Sequence, residues 1–294
     1  MTAISNRTAL LLVNRRARMG GSSIEEAREL LTGAGFAIIE PPNSDAPDID
    51  STIRTYAASI DSVIVGGGDG SLNSAAAAVR DHGLTLGILP LGTANDLART
   101  LEIGPSIRVA AEIIARGNTR RIDLGRVNDH PFFNVASLGF SVELARNLTA
   151  AAKRRFGRLG YAVAGGRLLA QSRPFTISVE HDGRTEVLRT VQVSVGNGRF
   201  YGGGMTVESG ARPDDGQLDF YSLGVENWWE LVKLLPALRR GTHGRLPNVR
   251  AFSTRGEIVV RTRRPHDVNA DGELVTRTPA RFAIDRLAVE VFAP

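Results

Sequence analysis

A chain of 294 residues, 42% of them hydrophobic, is long enough to bury one large core or two ordinary ones. It contains no cysteine, which excludes disulfides and thiolate metal sites, and its 5 scattered histidines lack the paired spacing of a zinc enzyme, so any metal should be a hard cation held by oxygen. A net charge of +5 and a pI near 10.2 suit anionic partners, while 6% aromatic content, with no basic run interleaved with stacking rings, argues against nucleic acid.

No stretch approaches the roughly 20 apolar residues that cross a bilayer, and the opening MTAISNRTALLLVNRR is too short in its apolar run for a secretory signal. The expected location is cytoplasmic. The first third alternates short apolar runs with helical patterns, the signature of βα units and a parallel sheet. Ala9 to Val13 reads as a strand. Ser22 with Glu25, or Ser23 with Glu26, offers a capping box for a helix built on Ile24, Ala27, Leu30 and Leu31 and closed by Gly33 or Gly35. Strand Phe36 to Ile39, a polar loop, a helix from Asp48 to Ser59 and strand Ser62 to Val65 follow. That strand runs into Gly66-Gly67-Gly68-Asp69-Gly70-Ser71 and an alanine-rich helix. Thr85 to Leu89 is another strand, ended by the loop Pro90 to Asp96 and followed by helix.

After about Arg120 short alternating strands take over, at Phe175–Val179, Val187–Val195, Leu218–Leu223, Glu257–Arg261 and Ala283–Val291. Helical patterns interrupt them at Val142–Gln171 and Asn227–Arg240. The expected organisation is an α/β nucleotide-binding domain over residues 1–120 and a β-rich antiparallel domain over 121–294, whose last strand returns toward the first.

In the glycine turn, absent side chains let successive backbone N–H groups approach a phosphate, and the following helix N-terminus favours an anion. The turn lacks the lysine of a Walker A loop and, with Asp69, is not a dinucleotide fingerprint. An acid beside phosphate makes sense through bound Mg²⁺ or as a proton acceptor; the plainer reading is a βα turn capped by Asp69. Thr93 and Asn95 lie on a second loop expected at the same sheet edge, with Asp96 as the cap of a helix through Leu101.

The ordered series GGDGS, PLGTANDLAR, RRIDLG, FFNVASLGF, DDGQLDF and NADGE resembles the diacylglycerol-kinase catalytic family and its bacterial lipid-kinase relatives, over nearly the whole chain. GGDG also occurs in NAD kinases, but their Asn-Glu motif is not evident. The resemblance implies an α/β domain and a β-sandwich-like domain enclosing a site where ATP phosphorylates a lipid hydroxyl. It implies nucleotide contacts at Asn14, Gly67, Gly68, Asp69, Gly70, Ser71, Asn73 and Thr93, and acidic active-site positions at Asp69, Asp123, Asp271 and Glu273. Asp215, with backbone carbonyls at Arg212 and Gln217, matches a structural Mg²⁺ site. Asn14 is followed by Arg15-Arg16-Ala17-Arg18 where the family has Asn-Pro, and Ser71 replaces the usual threonine.

Phosphoryl transfer needs positioning and charge neutralisation. Arg15 or Arg18 would supply positive charge, Asp69 with Asp123 would organise Mg²⁺ and waters, and Glu273, or alternatively Asp271, would accept the hydroxyl proton. Only one of the latter two is expected to reach the substrate. Access to a membrane surface is expected from the basic and apolar stretch Leu144 to Leu169 or from Trp228 and Trp229, each of which reads equally as core-packed helix. A soluble acceptor such as NAD, or non-catalytic lipid binding, stands as the alternative; the acceptor and the oligomeric state, a homodimer included, stay open.

Overall fold

A computed structural model of the chain describes residues 7–14, 21–42, 48–147, 173–198, 200–201, 205–206, 212–224 and 249–294. Arg15, Arg18, Trp228, Trp229, the helix expected at Asn227–Arg240 and the stretch after Asn147 lie outside the described residues.

The chain opens with β1 (Arg7–Val13), α1 (Gly21–Gly33), β2 (Phe36–Ile39), α2 (Ile49–Tyr56), β3 (Ser62–Gly67), α3 (Asp69–His82), β4 (Thr85–Pro90), α4 (Asp96–Thr100) and α5 (Ile107–Arg116). Strands β2-β1-β3-β4 pair in parallel in that order. Every residue of β3 is buried, as expected of a strand with both faces covered. Helix α1 begins at Gly21, so Ser22 and Ser23 fall inside its first turn instead of preceding it as caps.

The second half contains β5 (Thr119–Val127), β6 (His130–Phe132), β7 (Val135–Gly139), α6 (Phe140–Asn147), β8 (Phe175–His181), β9 (Arg184–Thr190), β10 (Gln192–Gly196), β11 (Phe200–Tyr201) and β12 (Met205–Thr206). It ends with β13 (Leu218–Leu223), β14 (Val249–Thr254), β15 (Ile258–Thr262), β16 (Asp267–Ala270), β17 (Glu273–Arg277) and β18 (Ala280–Phe292). Six strands form an antiparallel sheet in the order β14-β13-β10-β7-β16-β17. Its apolar face, with Ala136, Leu138, Val193, Val195, Phe220 and Val268, packs with Ile177, Val179, Ile258 and Val260 from the other sheet, giving the second core.

The segment Val187–Val195, expected as one strand, is two strands in two sheets. Its apolar alternation breaks at Thr190, whose hydroxyl donates to the carbonyls of Gln192 at 2.8 Å and Leu223 at 3.0 Å and so fixes the crossing point.

Strand β18 unites the halves. Glu290 and Val291 pair in parallel with Thr85 and Leu86 of β4, Ala280 to Phe282 pair antiparallel with β15, and β5 runs antiparallel beside most of its length. Ile122, Leu124, Val289 and Val291 belong to the first core, whereas Val127, Ala280 and Phe282 belong to the second, so the junction passes through β5 and β18 themselves. Among the described residues no helix is long and apolar enough to cross a membrane.

Candidate active site

The glycine turn joins β3 to α3 at the C-terminal edge of the parallel sheet. Leu72 N makes the first intrahelical bond, to Gly68 O at 3.1 Å, so the N–H groups of Asp69, Gly70 and Ser71 have no partner inside the helix. The second loop, after β4, lies against the first. Leu91 N donates to Gly67 O at 2.9 Å, and a β-carbon on Gly92 would stand 2.5 Å from the Gly68 α-carbon and 2.7 Å from Asn95 Oδ1. Only two glycines allow this backbone contact. Asn95, at φ 51°, folds the loop on itself by accepting from Gly92 N and donating to Gly92 O, both at 2.9 Å.

Asp69 opens α3 and binds elsewhere. Its Oδ1 accepts from Leu97 N at 3.1 Å, so it caps α4 from 28 residues away. The plain sequence reading gives that role to Asp96, but Asp96 is the first residue of the helix, and Asn95, in the cap position, turns its side chain back to Gly92 and makes no cap bond. Asn134 Nδ2 reaches the same oxygen at 3.5 Å. Among the described residues Asp69 Oδ2 has no hydrogen-bond partner.

Residues Asp271 and Gly272 form the two-residue turn between β16 and β17, at φ 46° and 101°. The left-handed turn sends the two acids of this segment to different fates. The Asp271 carboxylate accepts from the backbone of Phe133 at 2.6 Å, Asn134 at 3.1 Å and Val135 at 3.0 Å. Burial of that carboxylate, with a further push from Asp69, raises it to about 7 against the pull of the three amides. Glu273, by contrast, is exposed, and its Oε1 lies 3.4 Å from where a Gly70 β-carbon would sit. The second domain thus reaches across to the first turn of α3.

Asp123, on β5, is 1% exposed. Its oxygens accept from Gly216 N and Leu287 N, both at 2.7 Å, while its own N–H donates to Pro213 O at 2.6 Å. It therefore ties the loop 212–217 to β5 and to the irregular point of β18. In that loop Asp215 accepts from Arg212 N at 3.1 Å and Gln217 N at 2.9 Å, and Gly216 turns at φ 70°. No three Asp, Glu or His side chains among the described residues gather closely enough to hold a metal by themselves.

Of the remaining expected residues, Asn14 donates from its backbone to Gly66 O at 2.8 Å at the root of the glycine turn, and Ser71 packs against Gly67. Thr93 is exposed on the second loop. Asn73 is buried one helical turn beyond Asp69, and among the described residues its Oδ1 has no hydrogen-bond partner. Sequence reasoning assigned nothing to Asn134 or Asn197. Asn197 Nδ2 bridges the carbonyls of Asp123 at 3.1 Å and Phe133 at 3.0 Å. The FFNVASLGF run was visible, but no local pattern reveals which acids it meets.

Comparison with known proteins covers both halves of this arrangement. The family model described as the diacylglycerol kinase catalytic domain matches residues 8–127, and that described as the YegS C-terminal NAD kinase beta sandwich-like domain matches residues 134–293. A diacylglycerol kinase of Mycobacterium tuberculosis strain H37Rv is 31% identical over 268 residues, which are 88% of this chain and 86% of its own. One from Staphylococcus carnosus is 27% identical over 250 residues, 83% of this chain and 81% of its own. A crystal structure of a diacylglycerol kinase from Bacillus anthracis str. Sterne shares the fold, with a TM-score of 0.81 at 24% identity over 98% of this chain and 97% of its own.

Proposed function

The chain belongs to the diacylglycerol kinase family, and from that membership we propose that it transfers the γ-phosphoryl group of ATP to a hydroxyl of diacylglycerol or a related lipid. The observation that carries the reading is the approach of Glu273 to Gly70, which sets an exposed carboxylate from the second domain at the first turn of α3, whose N–H groups have no partner inside the helix. Those N–H groups, with the glycines of both loops, hold the phosphates. Glu273 takes the proton of the attacking hydroxyl as the general base. Asp271, its acceptor sites facing three backbone amides, holds the turn that presents Glu273.

Bound Mg²⁺ would neutralise charge on the transferring phosphoryl group. Asp69 fits that role through Oδ2, because Oδ1 is already held by Leu97. A second, structural Mg²⁺ is assigned to the turn around Asp215, where the two amide hydrogen bonds to the carboxylate fold the chain tightly, and one carboxylate with the carbonyls of Arg212 and Gln217 would give the oxygen-only, water-completed set this ion accepts. An apolar side chain, Leu274, is 49% exposed on β17, the residue after Glu273 in the strand. That suits an acceptor drawn from a lipid surface.

Labelled ATP and Mg²⁺ offered with diacylglycerol, other hydroxylated lipids in mixed micelles, and NAD test the reading. Wild-type chain should label a lipid, and Asp69→Ala or Glu273→Ala should lower the rate about 10²- to 10⁴-fold. Turnover on NAD but on no lipid, or full activity in both variants, would sink it.

A further inference from the structure

Asn134 takes no part in the chemistry above, yet it touches Asp69, the acid assigned to Mg²⁺, and Asp271, the acid that holds the turn presenting Glu273. Its backbone N–H donates to Asp271 Oδ1 at 3.1 Å and its side-chain Nδ2 reaches Asp69 Oδ1 at 3.5 Å. Its own carbonyl accepts from Asn197 N at 2.9 Å and Gly198 N at 3.2 Å, which fixes the residue in place. Asn134 is 3% exposed and Asn197 is 2% exposed, and among the described residues the Oδ1 of each has no hydrogen-bond partner. A buried carboxamide with a bare acceptor is costly, and an apolar side chain would fill the same space without that cost. The donor end accounts for its presence. It points from the second domain onto a carboxylate of the first, next to the Leu97 amide, and both donors meet on one oxygen. The 3.5 Å separation is long, as catalytic hydrogen bonds often are before substrate closes the site.

Building on the kinase reading, we propose that Asn134 is a positioning residue that sets Asp69 against Asp271 across the domain junction and keeps Asp69 Oδ2 as the oxygen available to Mg²⁺. Substrate binding does not need this bridge, but the geometry of transfer does.

Two measurements on the full chain test this. In the lipid kinase assay Asn134→Ala should lower kcat about 10- to 100-fold while the KM for ATP stays within about twofold. Asn134→Asp is the isostere but carries no amide donor, so it should be worse than alanine; a packing role would make it better. Thermal unfolding supplies a readout independent of activity. The loss of midpoint caused by Asn134→Asp should shrink by at least about half in an Asp69→Asn background, because the facing charge is gone. An unchanged kcat in Asn134→Ala, an Asn134→Asp variant that outperforms it, or an equal thermal loss in both backgrounds overturns the proposal. A wild-type chain inactive on every lipid would instead remove the kinase reading, and the thermal cycle would still decide whether Asn134 engages Asp69.

Discussion

The two sides of the cleft are built from different materials. On the first-domain side the glycine turn and the loop after β4 meet backbone to backbone, Gly68 against Gly92, and nothing but hydrogen fits between them. On the second-domain side the contacts are made by side chains. Asp271, Asn134, Asn197 and Asp123 form a chain of carboxylates and carboxamides in which nearly every bond ends on backbone. The first arrangement is stiff and depends on the absence of atoms. The second depends on specific atoms at specific distances, and it senses charge. A cradle for a phosphate can be made of backbone amides, whereas placing one base and one metal-facing oxygen requires side chains held from both domains.

Substitution at Gly92 should break the comparison most visibly. A methyl group there meets the Gly68 α-carbon at 2.5 Å, and backbone cannot step aside as a side chain would. Gly92→Ala is expected to cost about 1–3 kcal/mol of stability from overpacking and to raise the KM for ATP more than it lowers kcat. Thermal unfolding and an ATP titration of the rate check both. A pure kcat loss with unchanged ATP affinity would mean that the loop contact does not shape the phosphate cradle.

The acid side should answer to pH instead. Asp271 is raised from its ordinary 3.8 to about 7, chiefly by burial. The native chain therefore binds more protons than the unfolded one between those values, so this group's contribution makes stability fall as pH rises from about 4 to about 7 and level off above. Since solvent reaches part of the residue, the effect should be only about 2–4 °C in midpoint. Asp271→Asn should flatten that portion of the curve measured from pH 4 to 8. An identical pH slope in the variant would show that the three amides keep Asp271 ionised throughout.

This contrast also explains how much could be read from the sequence. The strands of the parallel sheet, the glycine turn and the second loop announce themselves because their signals are local: apolar runs, glycine spacing, a strand followed by a helix. Glu273 stands ahead of Asp271 in the sequence reading, but the different settings of the two acids were not legible, because they depend on a left-handed turn and on amides 136 to 138 residues away. The plain reading of the second loop, with Asp96 as the cap of α4, fails because the capping carboxylate is that of Asp69, 28 residues away, which no local spacing announces. Val187–Val195 looked like one strand because the cue for crossing between sheets is a single threonine hydroxyl bonded to Leu223. Asn134 sits in the visible FFNVASLGF run and Asn197 in no motif, but nothing local names their partners Asp69 and Asp123, 65 and 74 residues distant.

A third region takes part in neither kind of construction and yields the smallest expected effect. The connection between β15 and β16 carries Arg263 and Arg264, both exposed, and no described ion pair engages either. The connection is braced, since Thr262 Oγ1 donates to Arg264 O at 2.8 Å, His266 N donates to Thr278 Oγ1 at 2.9 Å, and Thr278 N returns a bond to His266 O at 2.9 Å. Strand β16 leads from here to the Asp271 turn, about 13 Å away at about 3.3 Å per residue, so one short strand has a cationic end and an acidic end. Paired arginines presented on a fixed loop suit an anionic lipid surface, each contributing about 1 kcal/mol, or about fivefold in affinity. Arg263→Ser and Arg264→Ser should each weaken co-sedimentation with phosphatidylglycerol vesicles by that factor, and the difference should fade as salt shortens the screening length below about 10 Å. Neither substitution touches the cleft, so kcat on micelle-dispersed acceptor should hold. Unchanged vesicle binding in both variants would show that this loop takes no part in meeting an anionic surface, and the side-chain construction of the Asp271 turn would then stand apart from any lipid contact made here.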